Sequence, residues 1–92
     1  MLQVYKYRLP QVIGVTEVLM PKDADVISTE LQDGELVLWA LVDKAKENET
    51  RFFRTILTGE EVPRKDVIRF IGTVLAYNGK YVQHVFESMP NR

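Results

Sequence analysis

Two pairs of apolar runs, each joined by a short turn, dominate the pattern of hydrophobic and polar positions along the chain. Asp33-Gly34 separates the first pair, and Asn78-Gly79 separates the second. Both dipeptides are typical of type I′ turns, in which both central residues take positive φ and glycine does so without steric strain. The sequence therefore predicts two β-hairpins, one from Val26 to Val42 and one from Ile68 to Glu87.

The two turns also predict how the hairpin strands pair. In the first hairpin one face carries Leu31 with Leu36, Thr29 with Leu38 and Ile27 with Ala40, and the other carries Glu30 with Val37, Ser28 with Trp39 and Val26 with Leu41. In the second hairpin the pairs are Ala76 with Tyr81, Leu75 with Val82, Val74 with Gln83 and Thr73 with His84.

The run from Glu35 to Val42 is apolar on both faces, whereas a strand with one face in water alternates. A helix is the alternative for this run, but the preceding turn and the β-branched residues favour a strand. Both of its faces therefore need cover. One face is expected to line the core. The face with Val37, Trp39 and Leu41 is covered either by the first or fifth strand or by another copy of the chain, as in a homodimer.

Three further runs alternate as strands do, namely Gln3 to Leu9, Val15 to Leu19 and Arg51 to Thr58. Pro10 and Pro21 end the first two, because proline has no N–H for a sheet ladder.

The segments between these runs have the composition of connections. We expect a turn from Gln11 to Gly14, a solvated loop or one exposed helical turn from Lys44 to Thr50, and a surface loop from Gly59 to Asp66. The tail from Ser88 to Arg92 is expected to fray. Seven strands and no convincing helix predict a single all-β domain of 92 residues, an antiparallel sandwich or small barrel built on two hairpins.

Charge and composition narrow the classes of function. The 12 basic and 13 acidic side chains are well mixed and leave a net charge of −1, so no long-range field favours a nucleic-acid polymer or a membrane surface. The chain has no cysteine, which excludes a thiolate metal site and suits a reducing compartment. It also lacks an apolar run of the roughly 18 residues that span a bilayer. We therefore expect a cytoplasmic protein.

Candidate chemistry is sparse. His84 is the only histidine, and a lone imidazole within a strand is typical of a hydrogen-bonded structural residue. Ser28 and Ser88 do not lie in a nucleophile-elbow sequence, and a metal site would lack a second histidine. The sequence therefore predicts no enzyme, no metal and no cofactor.

One strand combines cationic and aromatic side chains. Arg51 and Arg54 flank two phenylalanines, and guanidinium groups beside aromatic surface can hold the phosphates of a nucleotide and stack its base. The candidate ligand-binding residues are Arg51, Phe53, Arg54 and His84. The alternative is that the arginines are rim charges and the phenylalanines belong to the core.

Six short segments spread along the chain carry a family resemblance: Tyr5-Lys6-Tyr7, Met20-Pro21-Lys22, Leu38 to Asp43, Glu49-Thr50-Arg51, Ile71-Gly72-Thr73 and His84-Val85-Phe86-Glu87. On these segments the chain resembles a group of short, uncharacterised proteins encoded by bacteriophages and prophage-bearing bacteria. It departs from that pattern at Asp23, where glycine is expected, and in the loop from Gly59 to Pro63. The resemblance implies a phage setting and supplies no catalytic residue.

The expected function is that of a non-enzymatic binding protein. It would be a homo-oligomeric phage accessory protein that interferes with a host process through protein–protein interaction in the host cytoplasm. One alternative is a protein that sequesters a small ligand such as a signalling nucleotide. A minor virion component is a second alternative, and a small hydrolase is a third.

Overall fold

The computed structural model describes residues 1–10 and 14–90. In chain order its strands are β1 (Gln3–Leu9), β2 (Gly14–Pro21), β3 (Asp25–Gln32), β4 (Glu35–Val42), β5 (Asn48–Leu57), β6 (Val67–Ala76) and β7 (Tyr81–Ser88). They form a three-stranded sheet of order β1-β4-β3 and a four-stranded sheet of order β2-β5-β7-β6, with every neighbouring pair antiparallel. The predicted all-β antiparallel fold is confirmed, and the two separate sheets make it a sandwich. Within the described ranges no helix is long and apolar enough to cross a membrane.

Both predicted hairpin turns are present. Asp33 and Gly34 have φ values of 51° and 78°, and Asn78 and Gly79 have values of 56° and 83°. These pairs of positive φ angles are those of type I′ turns. In the second turn the preceding residue, Tyr77, also has a positive φ of 52°, so three successive residues there are left-handed. The four pairs predicted for the second hairpin, from Ala76 with Tyr81 to Thr73 with His84, are confirmed.

The first hairpin departs from its predicted register at one residue. Pairing runs as predicted from Gln32 with Glu35 to Ser28 with Trp39, and then shifts at a β-bulge. The predicted pairs Ile27 with Ala40 and Val26 with Leu41 are wrong, because Val26 lies opposite Ala40. An extra residue in one strand reverses the faces beyond it. Val26 is consequently buried in the core, and Ile27 is 48% exposed.

The core lies between the two sheets. Leu36, Leu38, Ala40 and Val42 are all fully buried on one face of β4, as predicted for its core face. The four-stranded sheet contributes Val18, Met20, Phe53, Val74 and Val85 to the same cluster.

The sheets approach closely where β3 and β6 meet. A Cβ atom at Gly72 would lie 2.8 Å from Cγ2 of Thr29, so only glycine allows this approach. At the same corner Arg69 donates a hydrogen bond to the carbonyl of Val26 and lies 3.7 Å from the carboxylate of Asp25. These contacts join the two edge strands into one sandwich corner.

Three of the predicted boundaries are corrected. The second strand is longer than Val15 to Leu19, and β5 begins at Asn48, inside the segment expected to be a loop or a helical turn. Ser88 is not frayed, because it ends β7 and its hydroxyl donates to the carbonyl of Asp66, which also accepts from the Met89 amide. Of the predicted turn from Gln11 to Gly14, residues 11–13 lie outside the described residues, as do residues 91 and 92 of the predicted tail.

Candidate functional site

Each sheet has an outer face that points away from the core. We call the outer face of the four-stranded sheet the Arg54 face, and that of the three-stranded sheet the Trp39 face. Strand register assigns Val15, Glu17, Leu19, Phe52, Arg54, Ile56, Phe70, Thr73, Leu75, His84 and Phe86 to the Arg54 face. Val4, Lys6, Arg8, Ser28, Glu30, Val37, Trp39 and Leu41 belong to the Trp39 face.

Arg51 does not lie on the Arg54 face, because it points inward beside the core. Its Nε lies 2.6 Å from Oε2 of Glu87 and its Nη2 lies 3.1 Å from Oε1 of the same carboxylate. Its Nη1 donates to the carbonyl of Ala24 at 2.9 Å. The side chains of Arg51 and Glu87 are only 15% and 12% exposed. The hydrogen bonds to Glu87 are the largest cause of a raised Arg51 pKa, so its guanidinium is held by the protein itself.

The structure therefore separates the four candidate ligand-binding residues. Phe53 belongs to the core at 1% exposure, on the same side of β5 as Arg51. Arg54 and His84 lie together on the opposite side of the sheet. Side chains alternate across a strand, so residues 51 and 54 cannot share a face of a regular strand. The spacing of three residues between Arg51 and Arg54 is visible in the sequence, and it argues against both arginines binding the same phosphate.

Arg54 is surrounded by apolar side chains on its face of the sheet. Its neighbours across the sheet are Val15 on β2 and Phe86 on β7, and Phe52 and Ile56 precede and follow it on the same face of β5. Its Nε is buried, with no hydrogen-bond partner in residues 1–10 and 14–90. Buried polar groups in native proteins nearly always have a partner, so this nitrogen requires an explanation.

His84 has a hydrogen-bond partner at each ring nitrogen, as expected for a structural histidine within a strand. Its Nδ1 lies 3.0 Å from the hydroxyl of Thr73, and its Nε2 lies 2.8 Å from the hydroxyl of Thr58. A hydroxyl can donate or accept, so the two threonines satisfy either tautomer of the neutral ring. His84 thus has no free nitrogen for a ligand.

Several grooves cross the Arg54 face. One of about 610 Å³ is lined by Val15, Glu17, Phe52 and Pro90. Two others, which we call the first and second grooves, lie on either side of Val62 and Phe86. The first groove has a volume of about 460 Å³, and Phe70 and Phe86 lie in its lining with ring centroids 5.4 Å apart in an edge-to-face arrangement. Arg64 lines the same groove. The second groove, of about 300 Å³, reaches Thr58 and His84.

Large apolar side chains on this face contact water. Leu19, Phe70 and Leu75 are 59%, 55% and 64% exposed. Sequence reasoning missed the grooves and the role of Phe70 and Phe86. The available signal was that β6, like β4, is apolar at positions facing both sides.

Polar side chains of the same chain cover the Trp39 face only in part, since Val4 on this face is 55% exposed. The Trp39 indole Nε1 donates to Oε1 of Glu30 at 3.0 Å, and the Nζ of Lys6 lies 5.9 Å from the ring centroid. The same Nζ donates across β4 to Gln32 at 2.7 Å, and Val37 beneath is only 2% exposed. Neither strand expected to cover this face does so, because β1 lies beside β4 and β5 belongs to the sheet on its inner side. Cover by another copy stays a prediction.

A comparison with protein families gives a match over the whole chain. The model that matches residues 1–92 is described as a domain of unknown function, DUF7352. The chain belongs to this family. Comparisons with curated proteins and with solved structures found no match. The DUF7352 description specifies no activity, so the function must be inferred from the surfaces of the sandwich, and the phage setting stays a prediction.

Proposed function

We propose that this protein is a non-enzymatic binding protein that contacts another protein through its Arg54 face. The observation that carries the proposal is the buried, unpaired Nε of Arg54. Leaving such a donor unsatisfied costs about 1–3 kcal/mol. The neighbouring side chains close off the Nε itself, so a partner would bind the two terminal Nη groups of the same guanidinium, which are not among the buried unpaired atoms. Arginine is also among the residue types that contribute most energy at protein interfaces, and phenylalanine is enriched there.

The size of the face suits a specific but modest contact. Four strands about 4.8 Å apart and about eight residues long, at about 3.3 Å per residue, give a face of roughly 500 Å² in projection. A stable interface removes about 800 Å² of accessible surface per partner. The loop with Val62, which lines the first groove together with Phe86, extends the surface beyond the strands. We expect a reversible complex at the low end of the usual size range.

The proposal includes the setting that the family resemblance implies. The protein is a phage accessory protein, and its partner is a host protein whose process it disturbs. Support for this setting comes from the six segments on which the chain resembles phage-encoded proteins. The net charge of −1 gives no general attraction to nucleic acid and so favours a protein as the partner.

Affinity capture from cells that produce the protein tests this function. We compare the wild type with Leu75→Asp on the Arg54 face and with Val4→Asp as a matched control. Both residues are exposed apolar side chains in strands, at 64% and 55% exposure, but they lie on opposite outer faces. Each variant must first show the wild-type circular dichroism spectrum.

The expected result is a specific protein captured by the wild type and by Val4→Asp and lost with Leu75→Asp, because a carboxylate in the contact surface must be desolvated. Capture of the same proteins by all three would contradict the assignment of the contact to the Arg54 face.

A further inference from the structure

We infer that Arg54 is the binding site for a carboxylate group of the partner, which would be an aspartate or glutamate flanked by apolar residues. The inference rests on the proposed function and gives the chemical class that the Arg54 face recognises. The guanidinium of Arg54 is a charge without a counter-ion in the described part of the chain. Arginine stays protonated at any physiological pH. The Nε of Arg54 has no hydrogen-bond partner, and its guanidinium takes part in no ion pair within the described residues.

Three other arginines each lie beside an acidic side chain, whereas Arg54 and the exposed Arg64 have no ion pair in the described residues. Arg51 is held by the carboxylate of Glu87, Arg8 lies 3.0 Å from Glu35, and Arg69 lies 3.7 Å from Asp25. Arg54 is partly buried among Val15, Phe52, Ile56 and Phe86 and has no such acid. The nearest acidic position by register is Glu17, opposite Phe52, and it makes no ion pair with Arg54.

The geometry favours a carboxylate over a phosphate. The planar guanidinium matches a carboxylate through two parallel hydrogen bonds. A phosphate carries about two charges and is usually held by a cluster of arginines. By register the direct neighbours of Arg54 are apolar, and both His84 nitrogens are engaged by Thr58 and Thr73. Arg64 lines the first groove beyond Phe86 and is not a direct neighbour of Arg54 in the sheet. Glu17, one register position away, repels a dianion more than a monoanion.

The surroundings also specify what should adjoin the carboxylate. The apolar neighbours exclude water from one side of the guanidinium, which strengthens a charge-assisted hydrogen bond there. The edge-to-face pair of Phe70 and Phe86 beside them offers contact for an aromatic or aliphatic side chain. Phenylacetate combines both groups in one small molecule and is therefore the probe of choice.

The test is an NMR titration of the full chain that follows the arginine Nε–H signals. The Arg54 signal is assigned by its loss in Arg54→Lys. The probes are phenylacetate, its neutral analogue phenylacetamide and inorganic phosphate. We expect phenylacetate at millimolar concentration to shift the Arg54 Nε–H signal in a saturable way. Neither of the other probes should do so, and Arg64→Gln, at the rim of the first groove, should respond like the wild type.

Arg54→Gln lacks the Nε–H signal, so its titration is followed through the backbone amide signals of Val15 and Phe86, which lie beside residue 54. This variant should bind phenylacetate at least tenfold more weakly than the wild type, because hydrogen bonds to charged groups have that strength. The absence of a saturable shift in the wild type, or an equal response to phenylacetamide or phosphate, would overturn the inference. The wild-type titration does not depend on the folding of any variant. If it fails while Leu75→Asp still abolishes capture, the proposed function stands and the carboxylate inference alone is wrong. If phenylacetate binds as expected but Leu75→Asp leaves capture intact, the site is real and the proposed protein contact is wrong.

Discussion

Replacing Arg51 by alanine should destabilise the sandwich strongly, although the residue is a candidate ligand-binding side chain on sequence grounds. The substitution removes two hydrogen bonds to Glu87 and one to the carbonyl of Ala24. It leaves the Glu87 carboxylate, which is only 12% exposed, without its counter-ion. Removing one partner of a buried ion pair costs about 3–5 kcal/mol in the free energy of unfolding, which is a large part of the total stability of a small domain.

Urea unfolding monitored by Trp39 fluorescence measures this cost. Arg8→Ala is the matched control, because Arg8 and Glu35 form an ion pair in which the side chains are 75% and 51% exposed. Exposed pairs contribute about 0.2–1 kcal/mol, so the control should lose little. The double variant Arg51→Leu with Glu87→Leu should lose less than Arg51→Ala alone, because no buried charge is left unpaired. A loss below about 1 kcal/mol for Arg51→Ala would refute the reasoning, since it would equal that of an exposed pair.

Three further predictions concern the turns, the sheet corner and assembly. Gly34→Val and Gly79→Val should each lose about 1–3 kcal/mol in urea unfolding, because valine is strained at positive φ, and wild-type stability in both would contradict the turn assignments. Gly72→Ala should lose about 1–3 kcal/mol, because its Cβ would lie 2.8 Å from a Thr29 methyl whose hydroxyl is fixed on the Val37 carbonyl. Thr29→Ser removes that methyl and should restore most of the loss, and no restoration would count against a steric cause. If a second copy covers the Trp39 face, the protein should sediment above its monomer mass of 10.7 kDa at micromolar concentration. Leu41→Asp should return it to the monomer mass. A wild-type protein that stays monomeric at all concentrations would contradict cover by a second copy.

Features that depend on neighbouring residues could be predicted from the sequence. Asp33-Gly34 and Asn78-Gly79 determine their own backbone angles, so both hairpins and most of their register follow from the turns. The bulge at Ile27 could not be predicted, because an extra residue in a strand leaves the local pattern of β-branched residues unchanged.

Contacts between distant segments were not predictable in the same way. Arg51 meets Glu87 across 36 positions of sequence, and nothing near Arg51 indicates that a carboxylate will be opposite. The unpaired state of Arg54 likewise depends on which strands lie on either side of β5. The alternation of β5 did predict that Arg51 and Arg54 point to opposite faces. The idea that both hold one nucleotide conflicts with that alternation.

The central claim is that the Arg54 face is the surface that contacts another protein. Site-specific photo-crosslinking in producing cells tests it most directly, with a photoreactive phenylalanine analogue placed at Leu75 or at Ile27. Both side chains are exposed, at 64% and 48%, but only Leu75 lies on the Arg54 face. We predict a discrete crosslinked product of higher mass from position 75 and none from position 27. Identical products from both positions, or a product from position 27 alone, would contradict the claim.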